Sequence, residues 1–281
     1  MTEAPATRPD SPYPSRWSAE RDHLEVTAYD DGVVLATLTW PERRNAMSAA
    51  MTAAWVELVS ALRSDPDVRV LVVTGGGTAF CSGGDTSWIT AEPDASVADL
   101  RTRMLTFYDA WLSVRTLEVP TVAAINGAAV GAGAALALAC DLRYASASAR
   151  FAVPFTALGM HPGMATTWLL PEVIGVAAAR DLLLTGRMID AEEMLRLGLV
   201  SMVSGDDGFR ADALDHAHRI AATAPLASRL TKVTLARGGH ADLETAREWE
   251  ALAQSVTLTT TDLREGVTAS RERRTPRFTG R

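Results

Sequence analysis

Two glycine-rich stretches hold residues suited to gripping a negatively charged oxygen. The first, Gly75-Gly76-Gly77-Thr78-Ala79-Phe80-Cys81-Ser82-Gly83-Gly84-Asp85, follows the apolar run Val68-Arg69-Val70-Leu71-Val72-Val73-Thr74. The second, Val130-Gly131-Ala132-Gly133-Ala134-Ala135-Leu136, is entered through Asn126-Gly127. Each reads as a strand turning through glycines, and the second turn opens a helix, whose first N–H groups lack helical partners and attract an oxygen anion. Glycine lets main chain approach a ligand closely and turn its amides inward. One amide from each loop, aimed at the same carbonyl oxygen, makes an oxyanion hole. Neither stretch carries that reading alone, because glycine-rich turns after strands are commonly only turns.

Groups able to move a proton are sparser. The first helical turn after Gly131 contains no acid. His161, just before Pro162-Gly163, has a side chain that titrates near neutral pH and is the candidate acid or base, although a histidine flanking a Pro-Gly turn equally reads as a surface residue. Glu92 and Asp94 fall in Thr90-Ala91-Glu92-Pro93-Asp94, either part of a lid over the site or solvated loop charges. Thr156, Thr166 and Thr167 can hydrogen-bond a ligand, but threonine near a helix start commonly caps it. Arg43, Arg44, Arg271, Arg273, Arg274 and Arg277 carry guanidinium groups, which pair well with phosphate oxygens; the plain alternative is a solubilising basic surface.

In order and spacing, several segments together resemble the crotonase superfamily, also called the enoyl-CoA hydratase/isomerase family. They are Pro41-Glu42-Arg43-Arg44-Asn45-Ala46-Met47, Ala79 to Asp85, Ala123-Ala124-Ile125-Asn126-Gly127 through Asp141, and Phe151-Ala152-Val153-Pro154 through Pro162-Gly163. Leu184-Thr185-Gly186-Arg187 and Ala191-Glu192-Glu193 to Gly198-Leu199-Val200 extend the likeness, which runs from about residue 24 to the end. The resemblance implies an acyl-CoA thioester as substrate, its carbonyl held in an oxyanion hole that stabilises an enolate. Carried over by motif, the two donors are the backbone N–H groups of Gly84 and Ala132. Small side chains there leave room for the thioester, and a helix N-terminus at Ala132 favours negative charge.

The same resemblance places Arg43 and Arg44 along the CoA channel, the backbone around Ser82 at the adenine amine, and Asp85 as organiser of the first loop. Ser48, Thr86, Ala128, Gly131, Ala135, Pro154, Phe155 and Gly163 complete the implied substrate-binding set, with Phe278 and its neighbouring arginines reaching the nucleotide. Coenzyme A enters as part of the substrate; no tightly bound cofactor and no metal are expected.

The chain departs from the family where protons are handled. Hydratases of this kind use two glutamates, at positions occupied here by Ala135 and Phe155. General acid–base assistance is worth roughly 100- to 10,000-fold per group, and neither methyl nor phenyl supplies it, so ordinary alkene hydration is expected to be crippled. Three readings follow: enolate chemistry other than simple hydration, such as isomerisation, thioester hydrolysis, decarboxylation or C–C cleavage; acyl-CoA binding without catalysis; and weak hydration with a substitute acid or base. Trp88, Trp111 and Trp168 either line the acyl space or pack in the core.

The elements that must position these groups are legible from pattern. Leu24–Tyr29 and Val33–Thr39 form a hairpin about Asp30-Asp31-Gly32. Ser48 caps an apolar-periodic helix to Ser64, closed by Asp65-Pro66-Asp67. Val97–Leu117 has helical period, Thr121–Ile125 is a strand, Ala134–Cys140 is helical, and Leu142–Ala145 and Arg150–Ala152 are further short strands. Helices then follow over Arg210–Ala222, Pro225–Gly238, Asp242–Thr260 and Thr261–Arg274. Alternating strand and helix give an α/β fold, for which the family implies a right-handed superhelix of β-β-α turns. The expected organisation is a flexible extension over 1–22, an acyl-CoA-binding core over 23–206 and a C-terminal helical oligomerisation region over 207–281. The resemblance implies a homotrimer or hexamer, for which Leu243, Ala246, Trp249, Leu252, Val256 and Leu258 offer an apolar face.

Composition bounds the rest. At 281 residues and 47% apolar content the chain can bury a substantial core, and its net charge of -7 argues against nucleic-acid binding. No apolar run approaches a membrane span, and the first 22 residues lack the apolar centre of a secretion signal, so the cytoplasm is the expected location. The two cysteines, Cys81 and Cys140, read as free buried thiols.

Overall fold

Short apolar strands alternating with helices build two sheets rather than one. The computed structural model describes residues 6–7, 22–85, 94–236 and 242–281. The expected N-terminal extension lies almost wholly outside the described residues, as do Thr86, Trp88 and Glu92.

Strands β1 (Leu24–Ala28) and β2 (Val33–Leu38) form the expected antiparallel hairpin, and β3 (Val70–Gly75), β5 (Thr121–Ile125), β7 (Leu142–Ser146) and β10 (Met202–Ser204) add in parallel. The resulting six-stranded sheet has the order β1-β2-β3-β5-β7-β10. A smaller sheet, β4-β6-β8-β9, comprises β4 (Ala79–Cys81), β6 (Ala128–Val130), β8 (Arg150–Ala152) and β9 (Met188–Asp190). Each turn of chain therefore leaves one strand in the large sheet, one in the small sheet and then a helix: β3, β4, α2 (Val97–Leu112); β5, β6, α3 (Ala132–Ala139); β7, β8, α4 (Thr166–Thr185), after which β9 leads into the short helix α5 (Ala191–Arg196). This is the expected β-β-α superhelix. Three-residue strands such as β4, β9 and β10 carry too little periodicity to be read from sequence.

Helix α1 (Ala49–Ser64) begins where its cap predicts, with the Ser48 hydroxyl accepting the Met51 N–H at 3.1 Å. Its buried face includes Trp55, which stacks on Trp111 of α2 at 5.2 Å between ring centroids, and Trp111 Nε1 donates to Thr52. Trp111 is therefore core, not a wall of the acyl space. Helix α2 ends at Leu112 and continues as a tight turn over Ser113–Thr116, short of the single helix to Leu117 expected from period alone. Cys140 likewise sits just past the end of α3 rather than inside it.

The large sheet is covered on both faces. Val34, Ala36, Leu71, Val73, Ala123 and Ile125 face the main core, while Val33, Leu35, Val70, Val72, Val122 and Ala124 pack against α6 (Phe209–Ala221) through Phe209, Ala213, Ala217 and Ala221. Strands buried on both faces read as continuous apolar runs, as these do. Helix α6, grouped by sequence with the C-terminal helices, is thus packed on the sheet. Helices α7 (Pro225–Ala236), α8 (Leu243–Leu258) and α9 (Thr261–Glu272) follow. Leu243 and Leu252 of α8 are 84% and 61% exposed, so the apolar face expected there is open in the single chain. Among the described residues no helix is long and apolar enough to cross a membrane.

Candidate active site

The two glycine loops leave from the same end of neighbouring parallel strands, because Thr74 of β3 is paired with Ala124 of β5. Ligand sites in such sheets form beyond the carboxyl ends of strands. Two asparagines tie the loops there. Asn45 is fully buried with φ of 56°, a left-handed conformation that asparagine adopts more readily than most residues. Its Oδ1 accepts the Trp40 N–H at 2.8 Å, and its Nδ2 donates to the Gly76 and Ala79 carbonyls at 2.9 and 2.8 Å. Asn126 bridges the two loops: Oδ1 accepts the Gly75 N–H at 3.0 Å, and Nδ2 donates to the Gly77 carbonyl at 3.0 Å.

The first loop is then laid along the stretch before α1. Ser82 N–H donates to the Arg44 carbonyl at 2.9 Å, and Met47 N–H to the Gly83 carbonyl at 2.8 Å. Gly83 has φ of +99°, and a Cβ there would stand 2.9 Å from the Val130 carbonyl oxygen and 3.0 Å from the Ala132 nitrogen. At Gly133 a Cβ would stand 2.1 Å from the Cys81 carbonyl oxygen. Only glycine permits these crossings, and they bring the loop carrying Gly84 against the entry of α3. No side chain caps α3, whose N-cap is Gly131. Among the described residues, neither the Gly84 nor the Ala132 N–H donates to another group of the chain.

Aromatic groups wall this junction. Phe107 Cζ lies 3.8 Å from where a Cβ on Gly84 would stand, and Phe155 Cζ lies 3.9 Å from the same point on Gly131. The Tyr108 hydroxyl lies 2.5 Å from the Cβ position of Gly163. Ala135 is fully buried one turn into α3, its N–H bonded to the Gly131 carbonyl at 3.0 Å. Cys81 offers no proton carrier: burial pushes its thiol up to about 12, and its Sγ is directed at the Asn45 carbonyl.

Other expected site residues fall in several places. Asp85 is partly buried directly after Gly84, Ala128 is paired within the small sheet, and Pro154 is partly buried just before Phe155. Arg43 and Arg44 are exposed beside the first loop, where Ser82 Oγ donates to the Arg43 carbonyl, and the Arg43 guanidinium lies over Trp40. Ser48 is engaged as a helix cap and by His23 Nδ1 at 2.9 Å. His161 is exposed, with Nδ1 on the adjacent Pro162 carbonyl at 2.8 Å. Thr156 and Thr166 bond the Leu183 and Gly163 carbonyls rather than capping helices, Thr167 and Asp94 are exposed, and Trp168 is half exposed under Arg115.

Phe278 lies elsewhere within one chain. Its carbonyl accepts from Arg69, which precedes β3, whereas the glycine loop leaves after Gly75 at the other end of that strand, about 20 Å away at the usual rise per residue. Arg274 is already paired with Glu265 and Glu272, so its charge is committed inside the chain; Arg271, Arg273 and Arg277 remain exposed. Asn45, Phe107 and Tyr108 are the residues that sequence reasoning passed over as site components. The left-handed tolerance of asparagine after Arg43-Arg44 was an available signal for the first. Helical period alone places Phe107 with Leu100, Met104 and Trp111 on a packing face, and gives no sign that its ring meets Gly84.

Residues 28–281 match the family model described as enoyl-CoA hydratase/isomerase. The chain is 43% identical over 224 residues to a probable enoyl-CoA hydratase of Mycobacterium tuberculosis, covering 78% of this chain and 85% of that protein. It is 34% identical to the 1,2-epoxyphenylacetyl-CoA isomerase of Escherichia coli, covering 90% and 97%. Its fold superimposes on the crystal structure of an enoyl-CoA hydratase from Bacillus anthracis with a TM-score of 0.86 at 33% identity, covering 92% of this chain and all of that one.

Proposed function

The chain belongs to the enoyl-CoA hydratase/isomerase family, and from that premise we propose that it binds an acyl-CoA thioester with the carbonyl oxygen between the Gly84 and Ala132 amides and stabilises an enolate there. The observation that carries this reading is the crossing at Gly83, within 3.0 Å of the Ala132 nitrogen when given a Cβ, which joins the two donor-bearing loops. Loss of the α proton moves negative charge onto the thioester oxygen. Two fixed amides, one at a helix N-terminus, favour that charge without reorganising, and one such donor is typically worth about 100- to 1000-fold in rate. Arg43 and Arg44, exposed beside the first loop, suit the CoA phosphates.

Efficient hydration of a simple 2-enoyl thioester is outside this reading. A water must be deprotonated as it adds and the α carbon protonated, and the side chains at the two relevant positions are a buried methyl and a phenyl ring. The scaffold supports other outcomes, since one relative is named an isomerase. The test is incubation with crotonyl-CoA and longer enoyl-CoA thioesters, following both binding and loss of the conjugated thioester absorbance. Binding with slow loss is expected. The paired substitution Ala135→Glu with Phe155→Glu is expected to raise hydration by at least about tenfold, a fraction of what well-placed acid–base groups supply. Rapid turnover by the unaltered protein, or a folded double variant that binds CoA ligands and gains nothing, would overturn the reading.

A further inference from the structure

The wall of the acyl side is aromatic and carries one open polar group. Phe107 and Phe155 present ring edges to Gly84 and Gly131, the residues flanking the two amides. Tyr108, next to Phe107 on α2, sends its hydroxyl to Gly163, close enough that a Cβ there would stand 2.5 Å from the oxygen. Phe107 and Tyr108 meet edge-on with centroids 6.4 Å apart, so the two side chains form one continuous surface. Among the described residues the Tyr108 hydroxyl has no hydrogen-bond partner, and it is not among the sealed polar atoms of the interior. A phenol hydroxyl beside these rings is both donor and acceptor, and buried tyrosine hydroxyls usually find a partner.

We propose that Tyr108 is a specificity-determining residue: its hydroxyl hydrogen-bonds an oxygen carried by the acyl group beyond the thioester, so that the preferred substrates are aryl or similarly bulky acyl-CoA thioesters bearing a hydroxyl or oxo substituent. This rests on the acyl-CoA reading above. The rings favour a flat apolar acyl group, since aromatic pairs gain beyond simple burial in edge-to-face or offset contact. The hydroxyl discriminates among such groups, because a site built to hydrogen-bond a ligand rejects the analogue that leaves its polar atom unpaired. His161 does not compete for this role: it is exposed, and its Nδ1 is engaged with the Pro162 carbonyl.

The test compares two thioesters that differ by one oxygen, 3-phenylpropanoyl-CoA and 3-hydroxy-3-phenylpropanoyl-CoA, measured by calorimetry on the full-length protein and on Tyr108→Phe. The unaltered protein is expected to bind the hydroxylated thioester about 3- to 10-fold more tightly, the ratio one net hydrogen bond gives. Tyr108→Phe should abolish that ratio by weakening the hydroxylated thioester more than the plain one, a selective loss that a merely structural role for the tyrosine would not give. Gly163→Ala, whose added methyl must displace the hydroxyl, should abolish the ratio as well. A Tyr108→Phe protein that keeps the preference, or loses affinity for both thioesters equally, overturns the inference. Equal affinities in the unaltered protein overturn it alone, whereas failure of either thioester to bind folded protein removes the acyl-CoA reading and this inference with it.

Discussion

The loop junction and the C-terminal tail are both held in place by hydrogen bonds, but of opposite kinds. At the junction the partners are neutral: buried Asn45 and partly buried Asn126 bond main-chain amides and carbonyls, and glycines let strands of main chain touch. In the tail the partners are charged. Asp262 accepts the Thr279 and Gly280 N–H groups, and Glu265 accepts the Arg277 N–H and the Arg274 guanidinium. The contrast teaches how the molecule divides its electrostatics. The junction is set by side-chain amides and by contact of main chain with main chain, while the tail is set by carboxylates at the other end of the sheet.

The strongest way to break the junction is to fill its closest crossing. Gly83→Ala forces a side chain into a left-handed position and against the Val130 carbonyl and Ala132 nitrogen. The two amides then separate, and enolate formation should fall by about 100- to 1000-fold, the usual worth of an oxyanion donor. Exchange of the α hydrogens of an acyl-CoA in deuterated water reads this directly. Gly159→Ala is the control, since Gly159 has a similar φ of +75° but nothing within 4 Å of an added Cβ. Equal exchange in the two variants would show that the crossing does not position the amides.

Removing the tie rather than the crossing should cost stability more than geometry. Asn45→Ala strips partners from the Trp40 N–H and from the Gly76 and Ala79 carbonyls in a fully buried setting. Each group left unsatisfied costs about 1–3 kcal/mol, so a loss of about 3 kcal/mol and a melting temperature lower by roughly 5–10 °C are expected. Thermal denaturation checks this, and an unchanged melting temperature would make Asn45 incidental.

These residues also mark where the sequence was legible. The hairpin, the Ser48 cap, the long strands and the C-terminal helices follow from period-2 and period-3.6 patterning and turn chemistry, which are local. The nearness of the loop carrying Gly84 to the start of α3 was legible only through motif order, because it is made by contacts some fifty residues apart, such as Gly83 against the Ala132 nitrogen. Phe107 and Tyr108 were illegible for the converse reason. Their helical spacing is satisfied equally by core packing, and only the tertiary placement of α2 sets their rings against Gly84 and Gly163. Phe278 and Arg274 show another limit of sequence: their chemistry suits a nucleotide, while within a single chain the fold ties them to the far end of β3 and to Glu265.

The charged strap gives the mildest test, and one that the junction should fail to share. Hydrogen bonds from Arg274, the largest cause, and from the Arg277 amide hold the Glu265 carboxyl down at about 2, against an ordinary value of 4.5. A carboxylate depressed in the folded state contributes its stabilisation above the ordinary value and loses it as pH falls through the folded one, so the tail should loosen between about pH 4.5 and 2. Because Arg274 is solvent-exposed, Glu265 is only partly buried and salt screens such pairs, the effect should be small and weaker at high ionic strength. Amide exchange corrected for its intrinsic pH dependence is the measurement: Arg277, whose N–H donates to Glu265, should lose protection on acidification before Met47, Gly75 and Ser82 do. Arg274→Ala should give the tail part of that loosening already at neutral pH. If the loop amides loosen first, the division between a dipole-built site and a charge-built strap does not hold.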